Sequence, residues 1–256
     1  MLKLLASVIT LVSTASLFVS ATALEARTAT NDWPNPPRTV QLDRPIVVRA
    51  GETFYPQEEY TRFDRGRRSC NDKREGGDQD AVFVLEDGAT LARVVIGKVQ
   101  LEGVHCLGSC TLDHVYFEDV CEDAITIKQP YGTSRINYGG AKHARGNIVQ
   151  HNGGGTVIIN SFYAEDFGKL YRSCGNCREQ TDRHVEINDV WAVHGSELAG
   201  INENYRDTAT IRNVRASDVT TICQRYKGND DGKETRKTGS GPDREHCLYS
   251  SRDIWN

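Results

Sequence analysis

Short apolar runs separated by glycine, asparagine and aspartate fill the chain from Ala81 onward, and no 3.6-residue period is sustained anywhere. This texture predicts short strands and turns rather than helices. One register repeats. It begins Leu91-Ala92-Arg93-Val94 and continues with Leu112-Asp113-His114-Val115, Ile136-Asn137-Tyr138-Gly139, Ile159-Asn160-Ser161-Phe162, Ile187-Asn188-Asp189-Val190 and Ile211-Arg212-Asn213-Val214. The leading residues step by 21, 24, 23, 28 and 24. A second apolar strand follows in each unit, carried by Val104, Ile125, Val149, Leu170, Leu198 and Ile222. A step of this size, built from short strands, matches one coil of a parallel β-solenoid. Leucine-rich repeats share the period, but their leucine and asparagine frame is absent; a β-sandwich is the simpler alternative. The expectation is an all-β, single-stranded, right-handed parallel β-helix with capped ends.

The flanks divide the rest. Residues 24–38 are polar and broken by proline, and 39–42 and 45–51 read as strands of an end cap. Residues 55–79 form a charged loop holding Cys70. The expected organisation is therefore a lead-in and cap over 24–80, coils over 81–223 and a glycine-rich, charged wrap over 224–256, all one domain. Residues 1–23 read as a secretory leader, with Lys3, an apolar stretch and Ala21-Thr22-Ala23 at the end.

The register also places polar residues. Adjacent coils stack about 4.8 Å apart. Glu102 lies two before Val104 and Asp123 two before Ile125, so equal offsets set Glu102 beside Asp123 with Glu122 next to it. Carboxylates gathered in one patch repel unless a cation lies between them, and oxygen-only donors suit calcium. The plainer reading is a solvated acidic turn, since Glu118-Asp119 and Glu165-Asp166 also occur. Lys128 ends the same strand, Lys169 and Arg172 fall in the equivalent strand two coils on, and Lys142 and Arg145 lie in the stretch between. A hard cation flanked by lysine and arginine suits a polymer of carboxylates. His105 and His151 read as local hydrogen-bonding residues.

Charge narrows the partners. Lys and Arg number 31 against 35 Asp and Glu, a net of −4 that becomes −5 when Lys3 leaves with the leader. This balance argues against a nucleic-acid or membrane-surface role, so any anionic polymer must be held locally. All eight cysteines follow the leader, an even count that reads as disulfides. Cys174-Gly175-Asn176-Cys177 lacks the second ligand pair of a zinc site. The expected state is a secreted, extracellular monomer.

Longer motifs add a family. Glu102-Gly103-Val104-His105-Cys106, Glu118-Asp119-Val120-Cys121-Glu122-Asp123-Ala124, Gln150-His151-Asn152-Gly153-Gly154-Gly155-Thr156 and Glu165-Asp166-Phe167-Gly168-Lys169-Leu170-Tyr171-Arg172-Ser173-Cys174-Gly175-Asn176-Cys177 together resemble the class III pectate lyases, polysaccharide lyase family 3, over residues 39–250. The resemblance implies calcium-dependent β-elimination of α-1,4-polygalacturonate (de-esterified pectin), leaving 4,5-unsaturated ends. It makes Glu102, Glu122 and Asp123 the calcium carboxylates and Lys128, Lys169 and Arg172 the cations of the cleft.

One position departs from the family pattern. After Ala141-Lys142 the family carries an Asp-Lys pair ahead of the Val-Val-Gln run, and this chain has Gly146-Asn147 there. That lysine is a candidate proton-abstracting base, and an amide has no such basicity. Arg172 or Lys169 then becomes the base, Lys142 or Arg145 reaches in from the loop, or the chain binds pectate with little or no cleavage. A metal-free hydrolase on the same scaffold is a third reading, which needs an acid and a base carboxylate.

Overall fold

The computed structural model describes residues 28–66 and 76–256, so the leader and Cys70 lie outside the described residues. The strands wind into a parallel β-solenoid whose coils have three faces. The first face comprises the opening residues of Thr90–Ile96 and Thr111–Phe117, then Thr133–Asn137, Gly155–Asn160, Arg183–Asn188 and Thr208–Arg212. The second comprises the closing residues of the first two strands, then the openings of Gly140–His151, Tyr163–Ser173, Trp191–Asn202 and Val214–Lys227. The third comprises Ala81–Leu85, Glu102–Cys106, Asp123–Ile127 and the closing halves of those four long strands.

The inferred register is the observed one. Leu91, Leu112, Ile136, Ile159, Ile187 and Ile211 pair coil to coil and are buried. Each coil thereby completes its apolar core only against its neighbours. Corners repeat as well. Arg93, His114, Tyr138, Ser161, Asp189 and Asn213 all take left-handed backbone between the first and second faces. A non-glycine residue there costs about 1 kcal/mol, and side-chain ladders offset it. Asn160 Nδ2 donates to Asn137 Oδ1 at 2.9 Å and Asn188 Nδ2 to Asn160 Oδ1 at 3.1 Å. A second corner row, His143, Asp166, His194 and Asp218, separates the second and third faces.

The ends differ from the expected caps. Ile46–Val48 pairs in parallel with Ala81–Leu85 and Arg62–Asp64 with Thr90–Ile96, so the coil stack starts before residue 81. At the other end Arg236–Ser240 folds back antiparallel on Val214–Lys227, while Cys247–Leu248 and Ile254–Trp255 rejoin the parallel stack. Disulfides join Cys106 to Cys110, Cys174 to Cys177 and Cys223 to Cys247; Cys121 is disulfide-bonded too.

Candidate active site

Two neighbouring rows of the third face hold most of the candidate residues. One runs Asp123, Asn147, Lys169, Glu197 through consecutive coils. The other runs Thr126, Gln150, Arg172, Gly200. Glu102 stands one coil before Asp123 at the same offset, because Val104 pairs with Ile125.

The acidic end is crowded with like charge. Asp123 is buried, and its carboxyl is held well above the usual carboxylate range by desolvation and then by the charges of Glu122 and Glu102. Asn147 Nδ2 donates to Asp123 Oδ1 at 3.1 Å, which offsets only part of this. The Glu102 carboxylate is already engaged: Oε1 accepts from Gly76 N–H at 2.9 Å and Oε2 lies 3.2 Å from His105 Nε2. His105 is buried, and its Nδ1 lies 2.7 Å from Asp78 Oδ1. Lys128 Nζ meets the same Asp78 oxygen at 2.6 Å. Among the described residues no group of three or more His, Cys, Asp or Glu is arranged to hold a metal ion as it stands. The donor set nevertheless fits calcium, being hard oxygens whose mutual repulsion a divalent cation would relieve.

The basic end is a groove of about 390 Å³ lined by Asn147, Gln150, Lys169, Arg172, Tyr226, Glu234 and Thr235 among others. Arg172 is buried, and among the described residues its guanidinium donates to neutral oxygens, Asn202 Oδ1 and Thr235 Oγ1, each at 3.1 Å. Its charge centre lies 4.0 Å from the centroid of the Tyr226 ring. Gly200 permits this arrangement, since a Cβ there would lie 3.1 Å from Arg172 Cδ and 3.2 Å from the Tyr226 ring. Burial holds the Arg172 guanidinium below its ordinary pKa. Glu197, next to Lys169 in its row, is occupied by Tyr226 Oη and by Lys237 Nζ, both at 2.7 Å.

Sequence offsets thus place Glu102, Glu122, Asp123, Lys128, Lys169 and Arg172 on one face. Lys142 does not belong with them. It precedes the His143 corner, so it lies on the second face, where it pairs with Glu165 at 3.2 Å and sits 4.6 Å from the Trp33 ring centroid. Arg145 is exposed just past that corner. The offsets missed Asp78, Asn202, Tyr226 and Thr235: Asp78 comes from the turn before Ala81–Leu85, Asn202 closes the strand Trp191–Asn202, and Tyr226 and Thr235 belong to the C-terminal hairpin.

A family model described as Pectate lyase matches residues 30–233. The chain belongs to the pectate lyase family. Among relatives of this pectate lyase chain, pectate lyase H of Emericella nidulans is 47% identical over 232 residues, 90% of this chain and 88% of that protein. Probable pectate lyase D of Aspergillus fumigatus is 45% identical, covering 92% of this chain and 96% of that protein. The catalytic domain of pectate lyase PelI from Erwinia chrysanthemi has the same fold, with a TM-score of 0.71, 26% identity and coverage of 86% of this chain and 97% of that one. A further structure of PelI, in complex with tetragalacturonic acid, superposes with a TM-score of 0.66 at 26% identity, covering 86% of this chain and 70% of that one.

Proposed function

We infer that the protein is a pectate lyase, a polysaccharide lyase that breaks α-1,4-polygalacturonate by β-elimination. Beyond family membership, the observation that carries this reading is the pairing on one face of a repelling carboxylate patch with Lys169 and Arg172. Glu102, Glu122 and Asp123 would hold calcium, which would neutralise a substrate carboxylate and acidify the proton at C5. Lys169 binds a neighbouring uronate carboxylate. Arg172 in its neutral form takes the C5 proton; the C5–H electron pair forms the C4–C5 double bond, the C4–O bond breaks, and the departing oxygen takes a proton from water as the shortened chain leaves. Partners without formal charge and a desolvated guanidinium favour that role for Arg172, because nothing bonded to it fixes its proton. Asn147 holds Asp123 and contributes no base. The disulfides and the fungal relatives support secretion.

The test is absorbance of unsaturated product from polygalacturonate with calcium. Product formation that ceases with chelator is expected. Chelator-resistant cleavage giving saturated ends would replace this reading with a hydrolase. Calcium-dependent binding without product would leave a non-catalytic pectate-binding protein, the reading that Asn147 favours.

A further inference from the structure

We propose that a cavity on the second face is a second glycan-binding site, taking one uronosyl residue of a polygalacturonate chain away from the cleavage groove. The cavity, of about 200 Å³, is lined by Trp191, Arg215, Trp255, Asp189 and Asn213 with Thr28, Ala29 and Val190. It lies on the row Tyr163, Trp191, Arg215, Trp255, in strand segments that precede the second corner at Asp166, His194 and Asp218. Lys169 and Glu197 follow that corner, so the two sites occupy different faces.

The chemistry of the cavity is that of a sugar acid. Arg215 sits between two indoles, 4.2 Å from the Trp191 ring centroid and 5.7 Å from that of Trp255. It has no ion-pair partner among the described residues, and both Arg215 Nε and Trp191 Nε1 are shielded donors without an acceptor. An arginine that lines a cavity and has no ion-pair partner favours an anionic acceptor. Trp255 is 48% exposed and presents an indole against which a pyranose can stack. On the other wall Asn213 is held in place: its Nδ2 donates to Asp189 Oδ1 at 2.5 Å, and its Oδ1 accepts from Trp255 Nε1 at 3.1 Å. The Asp189 carboxylate can accept from sugar hydroxyls while Arg215 meets the uronate. A neutral glycan would leave the Arg215 charge unmatched. The choice of uronate rests on the lyase reading above. Two sites on one molecule would raise retention on the polymer without any new contact in the groove.

Electrophoresis of the mature protein through gels containing polygalacturonate and chelator tests the site apart from catalysis. Arg215→Gln and Trp255→Ala should each weaken retardation about tenfold, a change of about 1.4 kcal/mol. Both should keep the wild-type kcat on trigalacturonate with calcium, and gels containing hydroxyethylcellulose should retard none of them. Variants that migrate like wild type through polygalacturonate would overturn the proposal, as would equal retardation by the neutral polymer. If Arg215→Gln lowers the melting temperature, the exposed Trp255→Ala variant carries the test. The outcomes are separable: no unsaturated product, together with retardation lost in both variants, would sink the lyase reading and leave this site standing.

Discussion

Asp123 and Asp207 are both buried carboxylates of the same solenoid, and desolvation raises the pKa of both. Their surroundings differ. Asp207 is matched on every side: it accepts from Arg183 N–H and Asn202 N–H, each at 2.9 Å, from Asn202 Nδ2 at 3.1 Å and from the Ser173 hydroxyl. Arg183, fully buried nearby, donates to the Gly153 and Asn152 carbonyls at 2.6 and 2.8 Å. Asp123 receives the Asn147 amide but faces the charges of Glu122 and Glu102. A completed network holds a coil in place, whereas an incomplete acidic one leaves its repulsion for a ligand to relieve.

Substitution should separate the two. Asp123→Asn should lower kcat/KM on polygalacturonate about a thousandfold, on the order of 4 kcal/mol. Its melting temperature in chelator should not fall, because the change removes repulsion. Asp207→Ala should do the reverse, costing about 3 kcal/mol of stability in urea titration by leaving several buried donors without an acceptor. Calcium should not restore it. If Asp123→Asn unfolds in chelator as readily as Asp207→Ala, the contrast fails.

His151 extends the comparison to pH. It lies in the completed region, with Nδ1 2.8 Å from Tyr171 Oη and Nε2 3.1 Å from the Gly154 carbonyl. Burial pushes its pKa down to about 3. The unfolded chain titrates near 6.5, so between these values the unfolded state binds more protons and stability falls as pH falls. The loss should reach about 2 kcal/mol on going from about pH 6.5 to about pH 5. Denaturant titration of wild type against His151→Gln isolates it; parallel pH profiles would show that His151 is not the source.

The inward rows were legible because Leu91, Leu112, Ile136, Ile159, Ile187 and Ile211 must each meet the next coil, which imposes a period. Glu102, Asp123, Lys169 and Arg172 could be placed because they keep fixed offsets from that period. The second face carries no such signal. Its outward row mixes Tyr116, Gly140, Tyr163, Trp191 and Arg215, and Trp33 from the lead-in packs over Gly140. That hid the left-handed corner at His143, which sets Lys142 on the second face. Tyr226 and Thr235 reach Arg172 from far along the chain, and spacing within one coil cannot encode such a contact. The cysteine count implied disulfides, but pairing depends on which loops meet in space.

Asn147 gives the smallest expected effect and bears most directly on how far the acidic end is specialised. It stands between Asp123 and Lys169 in the row, and its amide also donates to Gln150 Oε1 at 3.1 Å. A lysine there would place a cation beside the Asp123 carboxylate, which faces the charges of Glu122 and Glu102. Asp123 would favour its charged form and Lys169 would oppose it, holding the amine nearer to basic strength at working pH. Asn147→Lys should therefore raise kcat about tenfold, or about 1.4 kcal/mol in the barrier, while Asn147→Gln leaves it unchanged. A rate that falls with lysine would mean that the amide's bond to Asp123 matters more than an added base. Arg172 would then remove the proton in a site already adapted to Asn147.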